Sequence, residues 1–195
     1  FVEMLDKFES GEMAPDAWRR FRLVRGTYGQ RQDGVQMMRV KAPQGIVSAS
    51  QMRAFADVAS RYSRGFCHIT TRQNIQFHFV LLKNVEAAMR EMAEEGLTTR
   101  EACGNSVRNI TGCPYAGTSE HEIFDPSPYA EALTRYFLRH PLSGVLPRKF
   151  KIAFEGCSED HAVTAINDIG WRSRIVDGRK GFKVTVAGGT SILPV

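Results

Sequence analysis

Between Val35 and Gly96 the spacing of apolar residues switches between a two-residue and a helical period, and this order limits the topologies open to the chain. Val35 to Lys41 reads as a strand, ended by the turn chemistry of Pro43-Gln44-Gly45. Ser48 or Ser50 can then cap a helix, because a hydroxyl satisfies a free backbone N–H there. Met52, Phe55, Ala56, Ala59 and Tyr62 give that helix one apolar face, and Ser63 to Gly65 stops it. Phe66 to Thr70 and Asn74 to Leu81 read as strands. Asn84 caps a second helix with Val85, Ala88, Met89 and Met92 inward, and Gly96 ends it. Strand, helix, strand, strand, helix is the order of a ferredoxin-like split βαβ unit.

The flanking segments differ in texture. Residues 1–33 read as one helix, Ala14 to Leu23, followed by a Gly-punctuated arm. After Thr98 the apolar periodicity lapses, and Cys103 to Pro114 reads as a polar loop. Tyr129 to Arg139 is expected as a helix and Lys149 to Phe154 as a strand. Val163 to Val176 and Gly181 to Ala187 are expected as strands joined by Asp177-Gly178, a hairpin turn pair. The expectation is an α+β chain: an N-terminal helix and arm (1–33), a ferredoxin-like half-domain (34–99), and a mixed α/β domain (100–195) that is incomplete. The chain opens at Phe1 rather than Met, and it reads as a piece of a longer protein.

Composition excludes several classes. No run of eighteen apolar residues occurs, so no membrane span is expected. The first residues lack the basic-then-apolar layout of a secretory signal. Cys67, Cys103, Cys113 and Cys157 form no Cys-x-x-Cys pair, which argues against a zinc ribbon or a local iron–sulfur loop. They read as reduced thiols of a cytoplasmic protein, and no metal ligand is assigned. The 26 Lys and Arg against 21 Asp and Glu form a modest surplus, concentrated at 19–31, 148–151 and 172–183. Solvated surface, nucleic acid, an anionic cofactor or an anionic substrate would each account for it.

Four segments carry candidate chemistry. Read as a strand, Thr70 to Phe79 places Thr70, Arg72, Asn74, Gln76 and His78 on one face, with Thr71, Gln73, Ile75, Phe77 and Phe79 opposite. The first face is either the wet side of a half-exposed sheet or a platform for a polar, anionic ligand. Asn, Gln and His are poor strand formers, and neither Lys nor Glu decorates this ladder, which favours the platform. Arg39 and Lys41 share a face of their strand with Met37. The loop Gly104 to Pro114 surrounds Arg108 with donors, and Arg can grip an oxyanion with two parallel bonds. Lys149 and Lys151 fall on one side of a strand. Their repulsion, about 1 kcal/mol at close range in water, is relieved by an anion between them. A basic edge strand that resists aggregation is the alternative.

Taken together, these segments resemble the sirohaem-dependent nitrite and sulfite reductases. The resemblance rests on Met38-Arg39-Val40-Lys41-Ala42-Pro43, Thr71 to His78, Val107 to Pro114 and Leu146 to Lys151, in that order, with Gly181 to Gly189 closing it. It covers roughly residues 20–190. It implies six-electron reduction of nitrite to ammonia or sulfite to sulfide, with electrons passing through a [4Fe–4S] cluster to sirohaem. By motif position, Arg39, Arg108, Lys149 and Lys151 match the substrate pocket. Arg72, Gln76 and His78, with Thr70, Asn74, Asn105 and Thr111, match positions lining the sirohaem. The cluster's cysteine pairs belong to the C-terminal half of such proteins, so its ligands are expected outside this chain, which alone is expected to be inactive. The resemblance also implies a small oxyanion substrate, an electron donor such as ferredoxin or a flavoprotein, and the C-terminal half of the same polypeptide as partner. Two other readings stay open: a basic ferredoxin-like module that binds nucleic acid, and a non-catalytic sirohaem-fold relative in tetrapyrrole synthesis.

Overall fold

The computed structural model describes residues 1–189; residues 190–195, the end of the expected second domain, lie outside the described residues. Two helices open the chain where the sequence predicts one: α1 (Val2–Glu9) and α2 (Pro15–Val24). Aromatic packing holds them together, with Phe8 stacked on Trp18 at 5.2 Å and Phe1 meeting the same indole edge-on at 5.4 Å.

The first sheet is built from β1 (Thr27–Gly29), β2 (Val35–Val40), β3 (His68–Ile69) and β4 (Ile75–Leu81). Its order is β1-β2-β4-β3, antiparallel throughout. α3 (Ala49–Tyr62) begins with a reciprocal cap: Ser48 Oγ accepts from Gln51 N–H at 3.1 Å, and Gln51 Oε1 accepts from Ser48 N–H at 3.0 Å. Its buried stripe is Phe55, Val58 and Ala59, with Tyr62 alongside. Met52 and Ala56 face solvent, so the inward face is rotated from the expected one. α4 (Val85–Glu94) buries Val85, Ala88 and Met92 as expected, but the Asn84 side chain makes no cap hydrogen bond. These helices cover Met38, Val40, Phe77 and Val80 of the sheet, all fully enclosed.

The segment Thr70 to Phe79 is not one strand. Residues 70–74 form the tip between β3 and β4, where Gln73 takes a left-handed φ of 51°. Beyond it Gln76 and His78 do alternate with buried Ile75 and Phe77. The alternation then fails at a bulge: Phe79 takes φ 61° and donates its N–H to Gln30 Oε1 at 2.6 Å, and Val80 becomes the buried residue. Phe79 lies under the Arg64 guanidinium at 3.7 Å, and Phe77 is core, so neither ring offers a stacking platform for bases.

The second part comprises α5 (Ser127–Phe137), β5 (Ile152–Glu155), β6 (Ile169–Val176) and β7 (Arg179–Val186). β5 runs parallel to β6, and β6 antiparallel to β7. Asp177 and Gly178 both take positive φ (50° and 74°), the two-residue turn that matches strand twist. Two expected strands start late. Val163 sits at φ 51° and leads into a 3-10 turn, so β6 begins at Ile169. Lys149 to Lys151 precede β5, tied by a single bridge between Phe150 and Val107. The 103–114 loop is not free either. Arg108 N–H donates to Phe150 O at 2.9 Å, and Thr111 N–H donates to Ile152 O at 3.1 Å. The core here is Val107, Ile110, Ala130, Ile152 and Phe154, flanked by Trp171. No helix among the described residues is long and apolar enough to cross a membrane.

A close backbone approach packs the arm before β1 against the end of the half-domain. Gly26 takes φ +79°, and a Cβ there would lie 2.4 Å from Thr99 O and 2.8 Å from Arg39 O. Neither carbonyl can rotate away as a side chain could. Gly26→Ala is expected to cost roughly 1–3 kcal/mol from the backbone conformation alone, with the overlap added to that. A lowered urea midpoint at unchanged m would show it, and an unchanged midpoint would refute it. Beside this contact Lys41 and Glu101 are buried 4.0 Å apart, and Lys41 Nζ donates to Val107 O at 3.2 Å. Burial pulls the Lys41 ammonium down to about 8, Glu101 opposes that, and Arg108 adds to it.

Candidate functional site

The tip of the β3–β4 hairpin, β2, the 108–114 loop, residues 149–151 and the 161–167 turn enclose a cavity of about 870 Å³. Arg39, Arg108, Lys149 and Lys151 all line it, although they come from three separate stretches. Thr70, Arg72, Asn74, Gln76 and Thr111 line it as well. His78 and Asn105 are not in its lining. His78 points toward His68, ring centres 6.0 Å apart, and Asn105 donates to Pro147 O at 3.2 Å from an exposed position.

Local hydrogen bonds set the positions of the three guanidinium groups. Arg39 and Gln76 are cross-strand neighbours on β2 and β4. With the Gln76 amide turned oxygen-first, it accepts from Arg39 Nε at 3.1 Å and from a terminal nitrogen at 2.6 Å. Arg108 wraps back on its own loop, donating to Gly104 O from Nε (3.1 Å) and NH2 (2.9 Å), and to Ala102 O at 3.2 Å. Arg72 reaches Thr111 Oγ1 at 3.4 Å. Among the described residues, no carboxylate oxygen lies within 4.0 Å of a side-chain nitrogen of Arg39, Arg72, Arg108, Lys149 or Lys151. Asp168 accepts the Lys151 backbone N–H at 2.7 Å. Burial pulls the Lys151 ammonium below its ordinary value, and the Arg72, Lys149 and Arg108 charges pull the same way against Asp168. Burial likewise lowers Arg72. A cavity with cations held this way favours a polyanion, and a lysine of lowered proton affinity releases its proton more readily.

Two positioning residues were missed from the sequence. Asn109, fully buried, donates from its amide nitrogen toward the carbonyls of Ala42 (2.8 Å), Arg72 (2.9 Å) and Gln73 (3.0 Å). Gln73 imitates a strand partner: its amide donates to Gly112 O at 2.8 Å and accepts from Gly112 N–H at 2.9 Å. Together they clamp the hairpin tip onto the loop and so aim Arg72. Both lie in the segments singled out above, but an amide side chain in a loop gives no sign of its distant acceptor.

A second group is also new. Cys113, Glu155, Cys157 and His161 bring one ligand atom each within 4.8 Å of one another, at the edge of the cavity where His161 and Pro114 line it. The sequence assigned these residues no metal role, because the two cysteines are 44 positions apart. Burial, with Glu155 beside it, pushes the Cys113 thiol well above its ordinary value.

Two family models match the chain: the nitrite/sulfite reductase ferredoxin-like half domain over residues 28–95, and the nitrite and sulphite reductase 4Fe-4S domain over residues 103–195. The chain is 35% identical over 191 residues to the assimilatory ferredoxin-dependent nitrite reductase of Haloferax mediterranei, covering 89% of this chain and 32% of that protein. It is 33% identical over 160 residues to the sulfite reductase [ferredoxin] of Mycobacterium tuberculosis, covering 82% of this chain and 28% of that protein. The solved structure of the Mycobacterium tuberculosis NirA protein superposes with a TM-score of 0.86 at 29% identity, covering 94% of this chain and 37% of that one. The chain thus spans about a third of the length of these relatives.

Proposed function

Because the chain belongs to the nitrite and sulfite reductase family, we propose that it supplies the anion pocket and part of the haem cradle of a sirohaem and [4Fe–4S] dependent reductase. The observation that carries this reading is the convergence of Arg39, Arg108, Lys149 and Lys151 on one cavity with no carboxylate partner among the described residues.

Sirohaem is an iron macrocycle rich in carboxylates, and the cavity suits it. Arg72, Gln76, Thr70, Asn74 and Thr111 line it with groups that would hold the carboxylates of such a macrocycle. Bound there, the group would supply the iron that binds the oxyanion and delivers electrons. The chain's own residues would do the rest. Arg39 and Arg108, aimed by Gln76 and by the Gly104 carbonyl, would stabilise negative charge on the guest. Lys151, with its lowered proton affinity, would hand over protons as oxygen leaves. Burial, with Arg72 and then Lys149 beside it, would keep Lys151 in that state. The cubane does not fit this chain. Only two of its four cysteines approach each other, so ligands for the cluster belong to the part of the relatives it does not cover.

The reading covers nitrite to ammonia and sulfite to sulfide, six electrons each, with ferredoxin or a flavoprotein as donor. It divides the chain near residues 97–103, which the limits of the two matched families support. It places the protein in the cytoplasm, consistent with four unbridged thiols. The test uses the polypeptide that carries this chain together with the uncovered part of its relatives. Purified, it is expected to show a tetrapyrrole spectrum and to reduce nitrite or sulfite with methyl viologen as donor. The 195-residue chain alone, reconstituted with iron, sulfide and sirohaem, is expected to show no turnover. A colourless full-length protein, or sustained turnover by the chain alone, would overturn the assignment.

A further inference from the structure

Cys113, Glu155, Cys157 and His161 make a ligand set of their own at the rim of the anion cavity, where His161 lines it, and the set is independent of the reductase reading. Cys113 comes from the loop before α5. Glu155 ends β5, Cys157 follows two residues later, and His161 lies in the next turn. We propose that these four side chains bind a single zinc ion.

The distances fit one ion of that size. Two thiolates bonded to a tetrahedral zinc stand about 3.8 Å apart, and a thiolate and an imidazole nitrogen about 3.6 Å. Cys113 Sγ lies 3.7 Å from Cys157 Sγ and 3.7 Å from His161 Nδ1. Glu155 Oε2, 4.0 Å from His161 Nδ1, completes the set as an oxygen ligand. Sulfurs on separate irons of a cubane stand much farther apart, so this pair serves one centre.

Two further observations point to a cation. His161 Nε2 lies 3.5 Å from Glu159 Oε2, on the far side of the ring from Nδ1, so a carboxylate stands where it can favour the tautomer that turns a free Nδ1 toward the other three ligands. Glu155 is completely buried, and its oxygens accept the backbone N–H groups of Cys157 and Ala162, each at 2.8 Å, beside the Cys113 thiol. No Lys or Arg nitrogen lies within 4.0 Å of it among the described residues. A buried carboxylate without a cation is costly, and a divalent ion between it and two sulfurs removes that cost. Four protein ligands leave no open position, which marks a structural site. Filled, it would fasten the Cys113-Pro114 loop to the 157–161 turn and so fix one wall of the cavity.

The test is elemental analysis and zinc-edge X-ray absorption on the full-length protein, expressed with zinc in the medium. The expected result is one zinc more than in the variants, with two sulfurs at about 2.3 Å and two lighter ligands at about 2.0–2.2 Å. Cys157→Ser and His161→Gln are each expected to lower zinc content roughly tenfold or more after exposure to a mild chelator, whereas Cys67→Ser leaves it unchanged. His161 is partly exposed, so its variant keeps the fold if Cys157→Ser does not, and circular dichroism reports which. The proposal is overturned if wild type carries no zinc, if both variants keep it, or if mass spectrometry finds Cys113 and Cys157 joined as a disulfide.

Discussion

Replacing Lys149 by Met in the full-length protein is expected to lower kcat/KM for anion reduction by about 10²–10³-fold while the tetrapyrrole spectrum stays in place. Lys149 lines the cavity from an exposed position, so truncation removes a charge without opening the core. Its loss acts twice. One cation facing the guest disappears, and so does one of the charges that hold Lys151 below its ordinary value. With that repulsion gone the Lys151 ammonium rises, and the residual activity should keep its basic limb to higher pH than wild type. Lys149→Arg keeps the charge and should keep most of the activity. Unchanged turnover in Lys149→Met would remove this residue from the chemistry. Loss of the spectrum would make its role one of cofactor retention instead.

Lys41→Met is expected to destabilise the protein by about 3 kcal/mol near neutral pH. The substitution matches the aliphatic stem but leaves Glu101, itself buried, with Arg100 at 3.6 Å as its one cation among the described residues, beside the Arg139 backbone N–H at 3.1 Å. The effect should depend on pH in a defined direction. Folded Lys41 titrates near 8, well below its ordinary value, so between about pH 8 and 10.5 the unfolded chain holds the extra proton. Stability from this group therefore rises with pH across that window, and the Met variant lacks the rise. Urea midpoints at pH 7.5 and pH 9.5 should show the gap between wild type and variant widening. A gap that stays constant would mean that Lys41 does not change protonation there.

What could be read in the sequence were features made by neighbours in the chain. Ser48 and Gln51 cap a helix they themselves begin, and Asp177-Gly178 close a hairpin between adjoining strands, so both were visible without coordinates. The cations were visible in a different way. A lone Arg39 in a strand, or Lys149 beside Lys151, says little alone, and only the order of four stretches tied them to one family. What remained hidden depended on partners far along the chain. The bulge at Phe79 is held by the side chain of Gln30, 49 residues earlier. The polar face of Thr70 to His78 was read as one strand, yet the hairpin tip still delivers Thr70, Arg72, Asn74 and Gln76 to the cavity. His78 lies beyond reach of that tip, and Asn105 turns to Pro147 instead. Cys113 meets Cys157 only because the loop runs beside β5.

Arg108 is steadied by backbone carbonyls and Arg39 by a neutral amide. Such dipoles fix where a guanidinium points without cancelling its field. The cavity mouth therefore keeps a long electrostatic reach, and on the proposed function a small anion diffusing past would be captured more often than chance encounter allows. That advantage would shrink as added electrolyte shortens the distance over which charges sense each other, so the hollow is expected to work as a collector in dilute salt and as a plain receptacle in brine.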